Sequence, residues 1–488
     1  MKWPIPRKAA LPLVAGLLLC APDALPGEPG PPVVSLLEAS VEATVPGERG
    51  PPAGPAATGS SWKTLHAGMG DTQEPEAVDA SERSPGERLT VFLLTVGQGD
   101  AIWERFSHNA IWIRDEESGW EAAFNWGVFD FDQVDFIPRL IRGTMLYRMA
   151  PWDPTAYLEE TRREDRAAWL QELALTPEQK WDLLTYVQWN ARPENTYYRY
   201  DYYRDNCSTR VRDALDRVLG GRIQAVTEAD TTTHTYRWHT RRLLGNAPWA
   251  YLGIQTVLGP AADRPLTEWE EAFLPLRLME SMRRVRVPDG NGGLRPLVAE
   301  ERQLLNSTRP PVPSRPPNAL PWFLLVGVLW GGAILGLSWK GSRLGFPGRL
   351  ALAVLAGGWA LVAALAGTLL LGAWLFTDHS FWYRNLNLLQ VNPLFLPSVL
   401  AFVLFLFRGT YPRWARMIAV LLGMIAGVGL LVYIFPMASQ ANGEILALTL
   451  PLNGALALGS VWLHSRPPVS HPTPSSHEKE PRSGGGKG

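Results

Sequence analysis

The chain has 488 residues, and its 46 Lys and Arg residues against 47 Asp and Glu residues give a formal net charge of −1. That length allows two or three domains, whereas the balanced charge offers no electrostatic basis for binding nucleic acid. The two cysteines, Cys20 and Cys207, lie far apart in the sequence.

The N-terminal region predicts export. Residues 1–24 combine a basic start with the apolar run Ala9–Cys20, which is typical of a signal peptide or an N-terminal anchor. Residues 25–87 are rich in Pro, Gly and Ala and predict a disordered linker. Because Cys20 belongs to the signal, the exported part contains one cysteine, Cys207, and cannot form an internal disulfide.

Regular structure is predicted from about Leu89 onward. Residues 90–96 read as a strand, 106–113 as a second strand, and 120–126 as its hairpin partner after a turn. Residues 156–173 and 177–190 are predicted to be helical, and 222–318 are predicted as a helical extension of the exported part. We therefore expect an α+β domain over residues 88–221 with a small antiparallel sheet.

The segment around Cys207 predicts a nucleophile at the start of a helix. The apolar residues that follow have helical spacing and end at Gly220-Gly221; they are Val211, Ala214, Leu215, Val218 and Leu219. Asn206 is suited to the N-cap position, so Cys207 falls in the first turn. Free backbone N–H groups and the helix dipole are expected to lower the pKa of the thiol there.

Two residues on neighbouring predicted strands complete a candidate catalytic set. His108 is the expected base for Cys207, and Asn125 is the expected partner that orients the imidazole. Further on, Tyr198, Tyr200 and Tyr202 alternate and are candidates for binding substrate. His234 and His239 are five residues apart, off the spacing of a helical zinc pair, so neither a metal site nor a cofactor is predicted.

The C-terminal part predicts a membrane bundle over residues 319–465. Five runs free of Asp, Glu, Lys and Arg can each supply the roughly 20 residues that cross a bilayer: 320–339, 350–377, 385–407, 417–443 and 445–465. Lys and Arg concentrate after the first run, after the third and in the tail 466–488, which is predicted to be disordered. Since positive charge marks the cytoplasmic side, we expect a cytoplasmic C-terminus and an external N-terminal domain.

Several segments in order resemble the Lnb N-terminal periplasmic domain family: Leu94–Asp100, Phe106–Ala110, Phe124–Phe131, Pro193–Asp201 and Asp205–Arg210. The resemblance implies a circularly permuted papain-like domain, akin to the lecithin:retinol acyltransferase group. It also implies a bacterial inner-membrane enzyme that transfers an acyl chain from a phospholipid to the amine of a lipoprotein, with Cys207 as nucleophile and His108 as base. In this family a glycine commonly stands where the chain has Ser107.

The resemblance continues into the membrane region at Asp378-His379 and Asn385–Pro393. His379, Asn385 and Asn387 form a polar cluster at the mouth of a membrane segment, where polar residues are usually functional or buried in the bundle. We expect them to bind the lipid headgroup or the lipoprotein.

Two other functions remain open from the sequence. A cysteine peptidase or amidase acting on cell-wall peptides would use the same thiol and imidazole, and an exported docking module would need neither. The five apolar runs favour the acyltransferase, because a lipid substrate lies in the membrane.

Overall fold

The computed structural model describes residues 84–129, 135–435 and 440–464. The predicted signal peptide or anchor, the predicted tail and all but residues 84–87 of the predicted linker lie outside the described residues.

Within the described ranges the N-terminal part contains strands and helices in mixed order. The strands are β1 Leu89–Val96, β2 His108–Asp115, β3 Glu121–Phe129, β4 Leu146–Trp152, β5 Ala168–Leu173, β6 Tyr197–Arg199, β7 Arg286–Pro288, β8 Leu294–Pro296 and β9 Val298–Leu305. The helices are α1 Phe136–Arg142, α2 Pro154–Arg163, α3 Pro177–Ala191, α4 Cys207–Val218, α5 Arg222–Thr227, α6 Tyr236–Leu244, α7 Pro248–Val257, α8 Glu268–Glu271 and α9 Pro275–Met282.

One antiparallel sheet organises this part, with the strand order β6-β4-β3-β2-β1-β5-β9. Along β1, Leu89, Val91 and Leu93 belong to one core and Phe92 and Leu94 to another, as the two-residue period of a strand requires. Helices α3 and α4 pack on the first face, and α2 packs on the second. The predicted α+β class and antiparallel sheet are confirmed.

The sheet is larger than predicted, and one helix prediction was wrong in its second half. Helix α2 ends at Arg163, and Asp165 adopts a positive φ of 52° before the chain turns into β5. Strand β5 then pairs with β1 on one side and with β9 on the other. Apolar side chains at Ala168 and Leu170 fill the face covered by α2, so tertiary pairing overrides the local helical pattern.

Five helical segments in the described C-terminal part are long and apolar enough to cross a membrane. They are span 1 Leu320–Lys340, span 2 Phe346–Phe376, span 3 Leu386–Arg408, span 4 Arg413–Ile434 and span 5 Gly443–Leu463. The predicted bundle of five helices is confirmed.

The segment between spans 2 and 3, together with the start of span 3, joins the bundle to the N-terminal part. Asn385 is 2 % exposed, and its amide donates to the backbone carbonyls of Thr256 and Val257 at 3.0 and 2.8 Å. Asn387 donates to the Thr256 carbonyl at 2.9 Å, and Gln440 to the Asn385 side chain at 3.0 Å. These carbonyls at the end of α7 would otherwise be buried without a donor, so the amides hold α7 on the bundle.

Aromatic packing strengthens the same joint. Phe381, between spans 2 and 3, lies with its ring centroid 4.8 Å from Tyr203 and 5.3 Å from Tyr236. All three belong to one hydrophobic core that extends into the spans. The N-terminal part is therefore fixed to the bundle through buried side chains.

Replacing Asn385 by Ala should loosen this joint. The variant leaves buried carbonyls at Thr256 and Val257 with fewer donors, which costs about 1–3 kcal/mol per unsatisfied group. Thermal unfolding in detergent should occur at a lower temperature, and proteolysis should cut more readily near residues 245–318. Asn291→Ala in the exposed β7–β8 turn is the matched control, and equal behaviour of the two variants would contradict this account.

Candidate active site

Cys207 lies in the first turn of α4, capped by Asn206 as predicted. The Asn206 side-chain oxygen accepts the backbone N–H groups of Ser208 and Thr209 at 2.9 and 3.0 Å, and the Asn206 N–H donates to the Thr209 hydroxyl at 2.8 Å. This reciprocal arrangement satisfies the backbone N–H groups of Asn206, Ser208 and Thr209. The position of Cys207 is therefore set by the cap.

A polar chain next to Cys207 ties α4 to the strand that carries His108. The Asn109 amide donates to the Ser208 hydroxyl at 3.2 Å, and the Ser208 hydroxyl donates to the Ala272 carbonyl at 2.7 Å. Asn109 in turn accepts from the Thr95 hydroxyl at 2.8 Å. Because Asn109 follows His108 and Ser208 follows Cys207, these bonds fix the strand and the helix relative to each other.

His108 and Asn125 form a direct side-chain contact across neighbouring strands. His108 Nε2 lies 3.1 Å from Asn125 Oδ1. The Asn125 amide nitrogen donates to the Ala123 carbonyl at 2.9 Å, which turns its oxygen toward the imidazole. Nε2 therefore carries the proton, and Nδ1 keeps a free lone pair that can act as a base.

The thiol and the imidazole are both neutral at pH 7. Burial raises the pKa of Cys207 to about 11, although the backbone N–H groups of Asn109, Ser208 and Cys207 itself favour the anionic form. Burial lowers the pKa of His108 to about 4, and the charge of Arg166 acts in the same direction. The expectation of a lowered thiol pKa was wrong, because desolvation outweighs the helix terminus.

Gly127 lets the end of β3 approach the nucleophile. Its φ of 88° favours glycine, and an added Cβ would lie 3.6 Å from the Cβ of Cys207 and 3.9 Å from the ring of Tyr200. The register between β3 and β4 shifts between Asn125 and Val128, so the strand is irregular at this point. The irregularity brings the strand backbone alongside Cys207.

The three candidate tyrosines lie in different surroundings. The hydroxyl of Tyr198 is 4.0 Å from the position of a Gly127 Cβ, which places Tyr198 and Tyr200 on the Cys207 side. The Tyr198 hydroxyl is buried and has no hydrogen-bond partner among the described residues. Tyr202 packs instead on Phe381 at 5.8 Å, in the joint with the bundle. Their role in substrate binding stays a prediction.

The three polar candidates from the bundle are not gathered at one point. Asn385 and Asn387 hold the carbonyls of α7, as described above. His379 packs on the end of α1, where a Cβ added to Gly143 would lie 2.9 Å from its ring, and it stacks on Trp382 with centroids 4.6 Å apart. Burial lowers the pKa of His379. Their part in binding a headgroup or a lipoprotein also stays a prediction.

His234 and His239 meet at Glu271, which sequence spacing did not anticipate. His234 precedes the N-cap of α6, and its Nδ1 lies 2.7 Å from Glu271 Oε1, while His239 Nε2 lies 3.0 Å from the same oxygen. The three ligand atoms lie within 4.8 Å of one another. Arg277 lies 3.4 Å from the Glu271 carboxylate and Arg242 3.3 Å from His239 Nδ1. Arg277 balances the charge of the carboxylate and Arg242 bonds to His239, so we interpret the cluster as a hydrogen-bonded network that holds α6 and α8 together.

Three residues near the candidate dyad were missed from the sequence. Asn109 directly follows His108 and Ser208 directly follows Cys207. That adjacency was the feature of the sequence from which their role could have been predicted. No feature of the sequence pointed to Arg166. It lies in a turn before β5, where its Nε donates to the Gly97 carbonyl at 3.0 Å. Its charge disfavours protonated His108 and favours the Cys207 thiolate.

The raised pKa of Cys207 predicts how its thiol reacts with a soluble alkylating reagent. The thiolate fraction of a group with a pKa of about 11 rises about tenfold per pH unit below that value. Iodoacetamide labelling of Cys207, mapped by peptide mass, should therefore accelerate steadily from pH 6 to pH 10. A plateau reached below pH 7 would instead show a thiolate–imidazolium pair and contradict the neutral dyad.

Ser107 carries backbone strain that a glycine would relieve. Its φ of 71° and ψ of −175° lie in a region that side chains rarely adopt, at a cost of about 1–3 kcal/mol. After the greater chain entropy of glycine is subtracted, Ser107→Gly should raise the free energy of unfolding by about 1 kcal/mol. Ser314→Gly, at an exposed position without a positive φ, is the control and should not stabilise the protein.

Comparison with known families addresses the identity of this domain. The family model of the Lnb N-terminal periplasmic domain matches residues 77–244, which include His108, Asn125 and Cys207. Comparisons with curated proteins and with solved structures gave no match. The match confirms the resemblance found in the sequence. Residues 77–244 thus match the Lnb N-terminal periplasmic domain, and the five apolar spans that follow suggest a membrane protein with a periplasmic domain.

Proposed function

We propose that the chain is a membrane-bound, cysteine-dependent acyltransferase that moves an acyl chain from a phospholipid to the N-terminal amine of a lipoprotein. One arrangement carries the proposal. His108 lies against Asn125, and the Asn109 amide beside it bonds to Ser208, which directly follows Cys207 in the first turn of α4. This arrangement belongs to a domain that buried side chains hold on apolar spans.

In the first half-reaction Cys207 attacks the ester carbonyl of the phospholipid. His108 Nδ1 takes the thiol proton as the C–S bond forms, and it returns the proton to the alkoxide oxygen as the ester C–O bond breaks. The products are an acyl-thioester and a lysophospholipid. The backbone N–H groups of Cys207 and Asn109 can stabilise the oxyanion of the tetrahedral intermediate.

In the second half-reaction the lipoprotein amine attacks the thioester. A C–N bond forms, the C–S bond breaks, and His108 carries the proton lost by the amine to the departing sulfur. The product is an amide, and the enzyme returns to its starting state. Asn125 accepts from Nε2–H throughout, which keeps Nδ1 available and stabilises the imidazolium that forms in each step.

The proposal includes a fold and an orientation. The order of His108 before Cys207, with α4 packed on the sheet that carries His108, supports a circularly permuted papain-like domain. The distribution of Lys and Arg supports a bacterial inner-membrane location, with this domain periplasmic and the C-terminus cytoplasmic. No cofactor enters either half-reaction.

A covalent thioester is the test of this function. The full-length protein, purified from membranes or supplied with phospholipid vesicles, should gain a fatty-acyl mass on Cys207 that hydroxylamine removes. Cys207→Ala should abolish it. His108→Ala should slow its formation by about 10²–10⁴-fold, the usual contribution of a general base. Cys20→Ser is the matched control and should acylate normally.

Other outcomes separate the alternatives. Cleavage of cell-wall peptides without lysophospholipid release would establish the peptidase or amidase. Full biological function of Cys207→Ala would establish a docking module. Either result would refute the acyltransferase.

A further inference from the structure

Helix α1 presents two apolar side chains to its surroundings. Ile137 is 58 % exposed and Ile141 is 54 % exposed, and their i, i+4 spacing puts them on one face. The neighbouring face, about 100° away around the helix, packs on the domain core through Phe136 and Leu140. A short helix with an inward apolar face and a second, outward one is typical of an element that lies against lipid.

The contacts of α1 place it at the end of the bundle that meets the domain. The Asp378 N–H donates to the Arg142 carbonyl at 2.7 Å, and the His379 ring packs on Gly143. Asp378 also forms an ion pair with Arg199 of β6. Asp378 is two residues beyond Phe376, the last residue of span 2, so α1 lies where the apolar layer ends.

A positive charge at the end of α1 is also compatible with contact between this helix and lipid. Arg142 is exposed at the C-terminal end of α1, beside the exposed face of Ile141. An apolar face next to an exposed guanidinium matches a phospholipid layer, whose acyl chains lie beneath its phosphates.

A run of aromatic side chains connects α1 with Cys207. Phe136 contacts Phe129 with ring centroids 5.5 Å apart, and Phe129 contacts Tyr147 at 5.1 Å. Tyr147 stacks on Tyr200 at 4.0 Å. The ring of Tyr200 and the Cβ of Cys207 both lie within 4 Å of the position that a Cβ on Gly127 would occupy. These ring contacts thus connect α1 with the surroundings of the nucleophile, through Tyr147, which is itself buried.

We propose that α1 is an interfacial helix that inserts Ile137 and Ile141 into the outer lipid leaflet and guides a phospholipid acyl chain along these aromatic rings to Cys207. The insertion follows from the position of α1 alone. The guidance rests on the proposed acyltransferase function.

Depth measurement tests the insertion without any catalysis. A nitroxide is attached at Ile141→Cys in full-length protein that also carries Cys20→Ser and Cys207→Ala, reconstituted in phosphatidylethanolamine and phosphatidylglycerol vesicles. Its relaxation should respond more to oxygen, which concentrates in lipid, than to a water-soluble nickel chelate. The same label at Leu294→Cys, another exposed apolar position (66 %) in β8, should show the reverse. Equal behaviour of the two labels would overturn the insertion.

Kinetics tests the guidance. Ile137→Ser with Ile141→Ser should lower the rate of Cys207 acylation about tenfold at limiting vesicle lipid, and saturating lipid should restore it. Leu294→Ser is the control and should acylate like the unmodified protein. A loss that saturating lipid does not restore, or no loss, would overturn the guidance. If no variant and no unmodified protein forms a thioester, the proposed function fails while the spin-label result still stands.

Discussion

The buried amide of Asn206 holds together the parts on which the candidate site depends. Its oxygen caps α4 and so positions Cys207, while its nitrogen donates to the carbonyls of Tyr202 and Phe273 at 3.1 and 3.0 Å. Tyr202 and the ring of Phe273 lie in the core shared with the bundle. One side chain therefore links the start of the nucleophile helix to the joint with the membrane spans. An apolar residue there would leave donors of α4 and two buried carbonyls unsatisfied.

Burial decides the electrostatics of the dyad more than any charge does. The N-terminus of a helix acts on a thiolate only as a fraction of a positive charge. Removal of water, by contrast, strongly destabilises both the thiolate and the imidazolium. Cys207 and His108 are therefore both uncharged near neutral pH. In the proposed reaction the proton would move only when the carbonyl of a substrate is in place.

The local patterns predicted the elements that carry chemistry, and long-range contacts determined the rest. The spacing of Val211, Ala214 and Leu215 and the cap at Asn206 were sufficient to predict α4. The pattern of residues around His108 was sufficient to predict β2. Successive side chains of this strand point to opposite faces of the sheet, with Ile111 and Ile113 in one core and Ala110 and Trp112 in the other. Strand β5 escaped prediction because its partners β1 and β9 are distant in sequence. The cluster of His234, His239 and Glu271 escaped for the same reason, since Glu271 comes from α8.

Polar residues at the end of the bundle fix both the domain and helix α1. The side-chain amides of Asn385 and Asn387 donate to backbone carbonyls of α7, and these bonds fix the position of the domain relative to the spans. Asp378 and His379 contact α1 from the same segment and fix its orientation. In the proposed acyltransferase the half-buried thiol of Cys207 would have to meet an ester in a lipid layer, and the misplacement of a reacting group by about 1 Å can cost 10²-fold in rate. On that proposal the polar residues of this segment contribute to the reaction through the geometry that they impose.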